Sequence, residues 1–423
     1  MSREIFVSID LSGTPHDVGR LWIHERQGIE RCSFKYAGNW LSTPGCFPIE
    51  PSLPLGEGTY HVNRPLFGAM DDTAPDRWGR MLMERMEAKN AAREGRTAVK
   101  LGESDYLLMV DDKARQGALR FATAPEGPFL ACRPDVSIPP LVEIGNLLDR
   151  STRVINEEEG EQDLLDILAP GSSLGGARPK ASVVDREGSL WIAKFPSPKD
   201  EWDVELWEYL ALKMAKKCHI AVPEFMLKDV SGKKVLLVKR FDRKGPIRIP
   251  FLSAMTMLEA QDREPRSYLE IAEAIVIYGT RPKADLQELW RRMVYNILIS
   301  NLDDHLRNHG FLYDPKLSGW CLSPVYDLEP LPEQVKSRYL QTSIDLENNL
   351  ASLNLAFEVA GDFGLTLKDA RGISLEMGKI SRTWGKEAVS LGAGKREIDF
   401  MASAFEHGNL RLALKRSGSN LKT

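Results

Sequence analysis

The segment Asn301-Leu302-Asp303-Asp304-His305-Leu306-Arg307-Asn308 concentrates groups able to do chemistry. An aspartate followed five residues later by an asparagine suits phosphoryl transfer: the acid receives the proton of an attacking hydroxyl, and an amide oxygen holds magnesium. Further on, Pro324-Val325-Tyr326-Asp327 closes the strand-like run Trp320-Cys321-Leu322, and its carboxylate offers a second hard oxygen. Asp303 is thus the candidate base, with Asn308 and Asp327 as candidate magnesium ligands. A second chemistry is open to the same segment. His305 and His309 stand at i, i+4 beside Asp303 and Asp304, and on a helix they could share a zinc or manganese ion in a hydrolase. The asparagines and Gly310 disfavour a helix there, and a hydrolase has no use for what lies upstream.

Upstream is the small-residue loop Pro170-Gly171-Ser172-Ser173-Leu174-Gly175-Gly176-Ala177-Arg178-Pro179-Lys180. It is neither a Walker A loop nor a GxGxxG loop. Gly175, Gly176 and Ala177 let backbone amides approach phosphate oxygens, while Arg178 and Lys180 add positive charge. Lys194 closes the strand Leu190-Trp191-Ile192-Ala193-Lys194, where its stem lies on the sheet and its ammonium reaches a phosphate. Glu205, with Glu201 and Glu208 as alternatives, is placed on the next helix to pair with it. A single lysine or glutamate is ordinarily just a solvated charge. The order of parts carries the reading: glycine loop, strand lysine, helix glutamate, strand, helix, Asp-x4-Asn, strand, aspartate.

These groups need a scaffold, and the hydrophobic pattern supplies one. Ile5, Val7 and Ile9 alternate with polar residues, and Leu21-Trp22-Ile23 and Ser33-Phe34-Lys35-Tyr36 follow at strand spacing, so the first segment reads as β-structure. Pro75 and Asp76 open a helix through Leu82 and Met86, whose tail from Glu84 to Arg96 reads as a solvated charged face. A Pro-rich stretch from Ala124 to Pro140 reads as a linker and sets the first domain boundary. Beyond it come an acidic helix start at Glu157 to Glu161 that stops at Pro170, and a hairpin of Lys180 to Val184 and Ser189 to Phe195. A helix from Val204 to Ala215 and strands at Phe225 to Leu227 and Val235 to Lys239 follow. Leu286, Leu289, Met293 and Ile297 form a 3.6-period stripe that faces a core just before the Asp303 segment.

The 423 residues are 43% apolar and 27% charged, which is ordinary globular usage, and single cores stop growing near about 250 to 300 residues, so two or three cores are expected. With 56 basic against 60 acidic residues the net charge is −4, and no chain-wide field draws the protein to nucleic acid or anionic membranes. Cys32, Cys46, Cys132, Cys218 and Cys321 are odd in number and never form a CxxC pair, which points to small buried thiols rather than a disulfide framework or a thiolate zinc site. The start goes straight into strand alternation, without a signal-peptide pattern, and the longest apolar runs, such as Ala274 to Tyr278, fall short of the ~20 residues of a bilayer span. A soluble, cytoplasmic protein is expected.

Several motifs together resemble the HipA family of serine/threonine-protein kinase toxins. They are Ser-Leu-Gly-Gly-Ala-Arg-Pro-Lys at 173–180, Ala-Lys-Phe-Pro at 193–196, Val-Lys-Arg-Phe-Asp-Arg at 238–243, Asn-x-Asp-Asp-His-x-x-Asn at 301–308 and Val-Tyr-Asp at 325–327. Ser52-Leu53-Pro54-Leu55, Pro75-Asp76-Arg77-Trp78-Gly79-Arg80 and Gly117-Ala118-Leu119-Arg120-Phe121 are similar to the family's N-terminal subdomain. The resemblance implies an α/β (α+β) fold with a β-rich N-terminal subdomain over 1–130. It implies a protein-kinase-like bilobal core over 141–415, with a small lobe to about 245, a helical lobe after it and ATP between them, and a basic tail at 416–423.

The same resemblance implies ATP and Mg2+ as cofactors, γ-phosphoryl transfer to a protein serine or threonine, and autophosphorylation in the Gly-rich loop. Asp303 would be the catalytic base, Asn308 and Asp327 the magnesium ligands, Lys194 the lysine on the nucleotide phosphates with Glu205 beside it, and Lys239, Arg240 and Phe241 the hinge beside adenine. Gly175, Gly176, Ala177, Arg178, Lys180, His305 and Tyr326 complete the implied cofactor contacts. Ser173 aligns with the autophosphorylated serine of the pattern Ser-x-x-Gly-Ala-Gln-x-Lys, but Arg178 stands in place of Gln and Ser172 adjoins, so either serine is open. A phosphate of about −2 charge in that loop would repel the phosphates of ATP, a route to autoinhibition. The implied partner is a HipB-like helix-turn-helix antitoxin, through which the chain would meet DNA indirectly; the basic tail residues Arg411, Lys415, Arg416 and Lys422 read as a frayed end. A catalytically silent corepressor of the same shape is the non-enzyme alternative.

Overall fold

The alternation at the start becomes β1 (Ser2–Leu11), with Ile5, Val7 and Ile9 all buried on one side of the strand. It pairs antiparallel with β2 (Thr14–Arg26), placing Ile5 opposite Leu21, and β2 pairs with β3 (Ile29–Tyr36), placing Leu21 opposite Phe34. With β4 (Thr59–Val62) and β5 (Leu119–Ala122) they form an antiparallel sheet of order β4-β3-β2-β1-β5. The computed structural model describes residues 2–125, 127–131, 138–171 and 176–415.

Asp76 caps α1 (Arg77–Glu94), accepting a hydrogen bond from Arg77 N at 2.7 Å, and Gly95 ends the helix at φ +64°. Trp78, Leu82, Met83 and Met86 on its inner face pack with Tyr106 of α2 (Glu103–Met109), Val154 of α3 (Ile144–Ile155), and Leu164 and Ile167 of α4 (Glu161–Gly171). The charged tail of α1 is more than a solvated face. Arg85 donates to Val154 O at 2.7 Å and pairs with Glu159 at 3.0 Å, and Lys89 donates to Glu159 O at 2.8 Å, which fixes the chain entering α4. The acidic run therefore serves as a partner for α1, and the helix begins only at Glu161.

The expected hairpin forms as β6 (Lys180–Val184) and β7 (Leu190–Lys194), in a second antiparallel sheet of order β6-β7-β9-β8 with β8 (Phe225–Val230) and β9 (Lys233–Lys239). Ala181, Val183, Trp191, Ala193, Val235 and Leu237 cover Ile144, Leu147 and Leu148 of α3.

Two compact units result: Met1–Asp200 with Met226–Leu252, and Glu201–Phe225 with Ser253–Thr423. The boundary expected within 124–140 does not separate them, because the N-terminal sheet and the β6–β9 sheet share the first unit, and the segment after Asp200 goes with the second. A buried ionic knot accounts for this. Asp242, just past β9, accepts from Arg240 Nε at 2.8 Å, from Arg243 at 2.7 Å and from Gly117 N at 2.8 Å, while Arg240 Nη1 donates to Ala114 O at 2.6 Å. Arg248 and Arg120 meet Asp112 in the same way, at 3.0 and 2.5 Å. Burial would raise the Asp242 carboxyl, but the adjoining Arg240 and Arg243 charges outweigh it and hold that carboxyl far below its usual range.

The second unit is helical, with α5 (Val204–Lys217), α6 (Tyr268–Tyr278), α7 (Pro282–Ile299), α8 (Leu367–Ser381), α9 (Lys395–Phe405) and α10 (Gly408–Ala413), and a hairpin of β10 (Gly310–Asp314) and β11 (Gly319–Leu322). Leu289, Met293 and Ile297 are fully buried as their spacing predicts, and Leu286 is half-buried at the edge of the stripe. No helix among the described residues is long and apolar enough to cross a membrane. Cys32 and Cys218 are buried and Cys46 and Cys321 half-buried, all as free thiols; Cys132 lies outside the described residues.

Removing Asp242 would leave Arg240 and Arg243 buried without their shared counter-charge. Asp242→Ala is expected to cost on the order of 3–5 kcal/mol of stability, read as an earlier urea midpoint of the full chain. A loss under 1 kcal/mol would show that the knot does not hold the first unit together.

Candidate functional site

In the first unit two lysines share one face of the β6–β9 sheet. Lys180 and Lys194 are directly opposed across β6 and β7, so their side chains leave the same face of the sheet. Lys180 is only 4% exposed and Lys194 is half-buried. Gly176 stands over Lys180 at φ +94°, a backbone conformation that favours glycine, with the Lys180 ammonium 2.5 Å from where a Cβ would sit. The Pro75–Trp78 motif holds the end of the loop: Asp76 accepts from Gly176 N, Trp78 N donates to Gly176 O at 3.3 Å, and Trp78 Nε1 donates to Lys180 O at 3.0 Å. Sequence reasoning placed that motif in the N-terminal subdomain without seeing this role. Ser172, Ser173 and Gly175 lie outside the described residues, and Ala177 is exposed.

Two expected nucleotide contacts are otherwise engaged. Arg178 forms a two-point ion pair with Asp200, both contacts at 2.7 Å, so much of its charge is already balanced. Arg240 has its guanidinium in the buried knot and its N–H on Leu190 O at 2.9 Å, so its side chain is held within the fold. Next to it, the Lys239 ammonium lies 5.5 Å from the centre of the Trp191 ring, and the half-buried Phe241 ring is 6.3 Å from that of Phe251.

In the second unit, Asp203 caps α5, accepting from Leu206 N at 3.0 Å, and Glu205 and Glu208 on that helix are buried while Glu201 is exposed. The loop after α7 is set by an alternation. Ser300 turns the chain in the left-handed region at φ +53°, and Asp303, His305 and Asn308 are half-buried, whereas Asp304, Leu306 and His309 point inward. Only residues 306–308 form a helical turn, a single 3-10 turn, so His305 and His309 do not share a helix face. His309 is buried against Tyr268, with ring centres 5.3 Å apart, and Nε2 donates to Asp304 O at 3.3 Å; burial lowers its pKa to about 3 and keeps it neutral. Among the described residues no group of three His, Cys, Asp or Glu side chains could hold a metal ion, and Asp304 and His309 are committed to packing. The shared zinc or manganese site is thereby removed from consideration.

Asp304 is the anchor. Its carboxylate accepts from Tyr268 OH at 2.8 Å and Gln341 N at 2.7 Å, and its main-chain oxygen accepts from Thr342 Oγ1 at 2.6 Å. Behind Tyr268, Asn296 Nδ2 donates to its hydroxyl at 3.0 Å, and Asn301 Nδ2 donates to Asn296 Oδ1 at 3.1 Å. Asn308 Nδ2 donates to Asp303 O at 2.8 Å, which leaves its amide oxygen as an acceptor on the other side of the amide. Tyr326 OH donates to Arg307 O at 2.6 Å and ties the 324–328 segment to the 3-10 turn; the next residue, Asp327, is half-buried and held at φ +53°. Left-handed backbone at a non-glycine residue is strained, and such strain gathers at functional sites. His305 Nδ1 is buried without a hydrogen-bond partner among the described residues.

Burial pushes the Asp304 pKa up from 3.8 to about 6, against the Tyr268 and Gln341 donors that favour its charged form. Between those pH values the native chain keeps a proton that the unfolded chain has lost. The stability contributed by that proton is complete below pH 4 and is lost as pH rises through about 6, a span of about 3 kcal/mol. Asp304→Asn removes the titration, so the unfolding free energy of the wild type relative to the variant should fall by about that amount from pH 4 to pH 7. Urea titrations at each pH would refute the assignment if the difference stayed level.

Comparisons with known proteins agree with this architecture. The HipA N-terminal domain matches residues 10–102 and the HipA-like C-terminal domain matches residues 172–384. A kinase-named protein of Haemophilus influenzae is 30% identical over 197 residues, covering 40% of this chain and 57% of that protein, so the match spans little more than half of its length. The kinase-named Y4mE of Sinorhizobium fredii is 25% identical over 329 residues, 70% of this chain and 71% of Y4mE. The HipA chain in the Shewanella oneidensis complex of HipA, HipB and operator DNA shares the fold, with a TM-score of 0.63 over 96% of each chain at 17% identity. With both of its characteristic domains matched in order, and the loop that carries Asp303 inside the second, this chain belongs to the HipA family.

Proposed function

We propose that this protein is an ATP-dependent serine/threonine-protein kinase of the HipA type. The observation that carries the reading is the phase of the catalytic loop. One residue, Asp304, is locked inward, and its neighbour Asp303 is thereby presented outward with Asn308 bonded to its main chain. Asp303 takes the role of base toward the acceptor hydroxyl, which would have to come within about 2.6–3.2 Å of its carboxylate. Asn308 and Asp327 are an amide oxygen and a carboxylate, the donor set that suits Mg2+ with nucleotide phosphates and water completing the shell; when bound, the ion would neutralise charge on the transferred group. Lys180 and Lys194 are the cations on the phosphates. Their opposition across β6 and β7 brings two positive charges close together, an arrangement that suits a polyanion.

The reading extends to autophosphorylation at Ser173 or Ser172, to a cytoplasmic location and to a HipB-like helix-turn-helix partner that brings the chain to DNA. Family membership supports the partner, since the Shewanella HipA chain of like fold is in complex with HipB and operator DNA.

Purified protein with labelled ATP and magnesium should transfer label to itself, and phosphopeptide mapping of residues 171–180 should assign it to one of the two serines. Asp303→Ala is expected to lower transfer about 10²- to 10⁴-fold with an unchanged melting temperature, because Asp303 is half-exposed. Retained transfer in Asp303→Ala would remove it as the base. A wild-type protein that binds a helix-turn-helix partner yet never turns over ATP would favour the corepressor reading.

A further inference from the structure

Lys336 belongs to the irregular segment that follows Leu331 and Pro332, and no motif in the sequence marks it. Its Nζ donates to Leu302 O at 2.7 Å and stands 3.6 Å from Asp303 Oδ1. Among the described residues it is the cation paired with Asp303. Surface pairs of this kind usually contribute little and wander, but this lysine is fixed on both sides. Before it, Leu331 N donates to Ser300 O at 3.0 Å, and both Val335 N and Lys336 N return to Pro332 O, closing a turn. After it, Arg338 donates to Ile297 O at 2.9 Å and to the Ser300 hydroxyl, and Gln341 N is held by Asp304 Oδ1 at 2.7 Å. Gln341 Nε2 also reaches Asp303 Oδ1, at 3.2 Å. The segment is thus pinned to the end of α7 and to the buried Asp304, and Lys336 is delivered to the base from outside the catalytic loop. The loop's own cation, Arg307, is turned to Asp262 at 3.3 Å.

We infer that Lys336 is a catalytic residue whose ammonium contacts the phosphoryl group during transfer, an inference that rests on the kinase reading. In that step the acceptor O–H gives its proton to the Asp303 carboxylate, and the acceptor oxygen forms a bond to the γ-phosphorus. The bond from that phosphorus to the β,γ-bridging oxygen breaks, and its electron pair leaves with ADP. A base must lie within about 2.6–3.2 Å of the hydroxyl oxygen it deprotonates, so a cation 3.6 Å from the base's carboxylate is within reach of the same oxygen and of the equatorial phosphoryl oxygens. Those oxygens carry the charge that phosphoryl transfer must stabilise, and a cation already in place needs no reorganisation at the moment of reaction. An ammonium has three N–H donors; one is used on Leu302 O and one faces Asp303, which leaves a third for the transferred group.

The test compares full-length wild type, Lys336→Met and Lys336→Arg with labelled ATP and magnesium, following self-labelling and labelling of added casein. The first-order rate at saturating ATP and the ATP concentration giving half that rate are measured together with the melting temperature. Lys336→Met is expected to lose roughly 10²-fold in rate, with the half-saturating ATP concentration within about threefold and the melting temperature unchanged, and Lys336→Arg should recover at least about tenfold of that loss. A Lys336→Met rate within threefold of wild type, a loss confined to ATP affinity, or a loss that follows a lowered melting temperature would each overturn the assignment while leaving the kinase reading intact. Absence of label transfer from the wild type would instead refute the kinase reading, and Lys336 with it.

Discussion

The second unit is organised around one buried carboxylate. Asp304 has no solvent to solvate its charge, and a carboxylate in that position is tolerated only if donors replace the lost water. Tyr268 OH and Gln341 N supply them, from α6 and from a segment far along the chain. In extended backbone neighbouring side chains leave opposite sides, so fixing Asp304 inward leaves Asp303 one direction only. The direction of Asp303 is therefore set by its neighbour, and its half-exposed carboxylate is met there by Gln341 Nε2 at 3.2 Å and Lys336 Nζ at 3.6 Å.

That constraint propagates backwards and forwards along the chain. Tyr268 can donate to Asp304 because Asn296 donates to Tyr268, and Asn296 is fixed because α7 is buried along nearly its whole inner surface. The helix must then stop abruptly, and Ser300 does so in the left-handed region, after which Asn301 bonds back to Asn296 and forward to Glu329 N at 3.1 Å. The 324–331 segment is carried along: Asn301 and Pro330 form an isolated bridge, Tyr326 bonds to Arg307 O, and Asp327 sits between them. A helix end, a loop and a strand exit thus share one polar network in which each member satisfies the next.

What could be read from the sequence follows from the range over which each signal acts. Ile5, Val7 and Ile9, the 180–195 hairpin and the Leu289, Met293, Ile297 stripe are local periodicities, and each forms as its pattern requires. The Asp303 and Asn308 spacing is equally local, since a short loop sets both ends of the Asn308 Nδ2 to Asp303 O bond. Long-range partnerships leave no such trace. An inward and an outward aspartate look alike in sequence, so nothing local marks Asp304 as the anchor, and nothing local places Ala114 and Asp242 around Arg240. Lys336 was passed over for the same reason. The Pro-rich stretch from 124 to 140 marks irregular backbone, which is not the same as a place where contacts cease, and the knot of Asp112, Asp242 and their arginines joins the sequence on either side of it.

The division of charge follows from these placements and is hidden in the net value of −4. In the first unit most arginines near β9 are neutralised within the fold, by Asp242 and Asp112 in the knot and by Asp200 at Arg178. On the same sheet Lys180 and Lys194 stand opposite each other across β6 and β7, and the proposed function assigns them to phosphate. In the second unit Asp303, Asp327 and Glu329 lie half-buried along the 303–329 stretch, the oxygen donors that the proposed function assigns to a proton and a cation. Lys336, from beyond that stretch, brings a positive charge beside Asp303, as the proposed chemistry needs. Carboxylates alone would repel an incoming phosphoryl group, whereas one ammonium held by Leu302 O would supply local compensation beside the proposed base while leaving the proposed magnesium ligands charged.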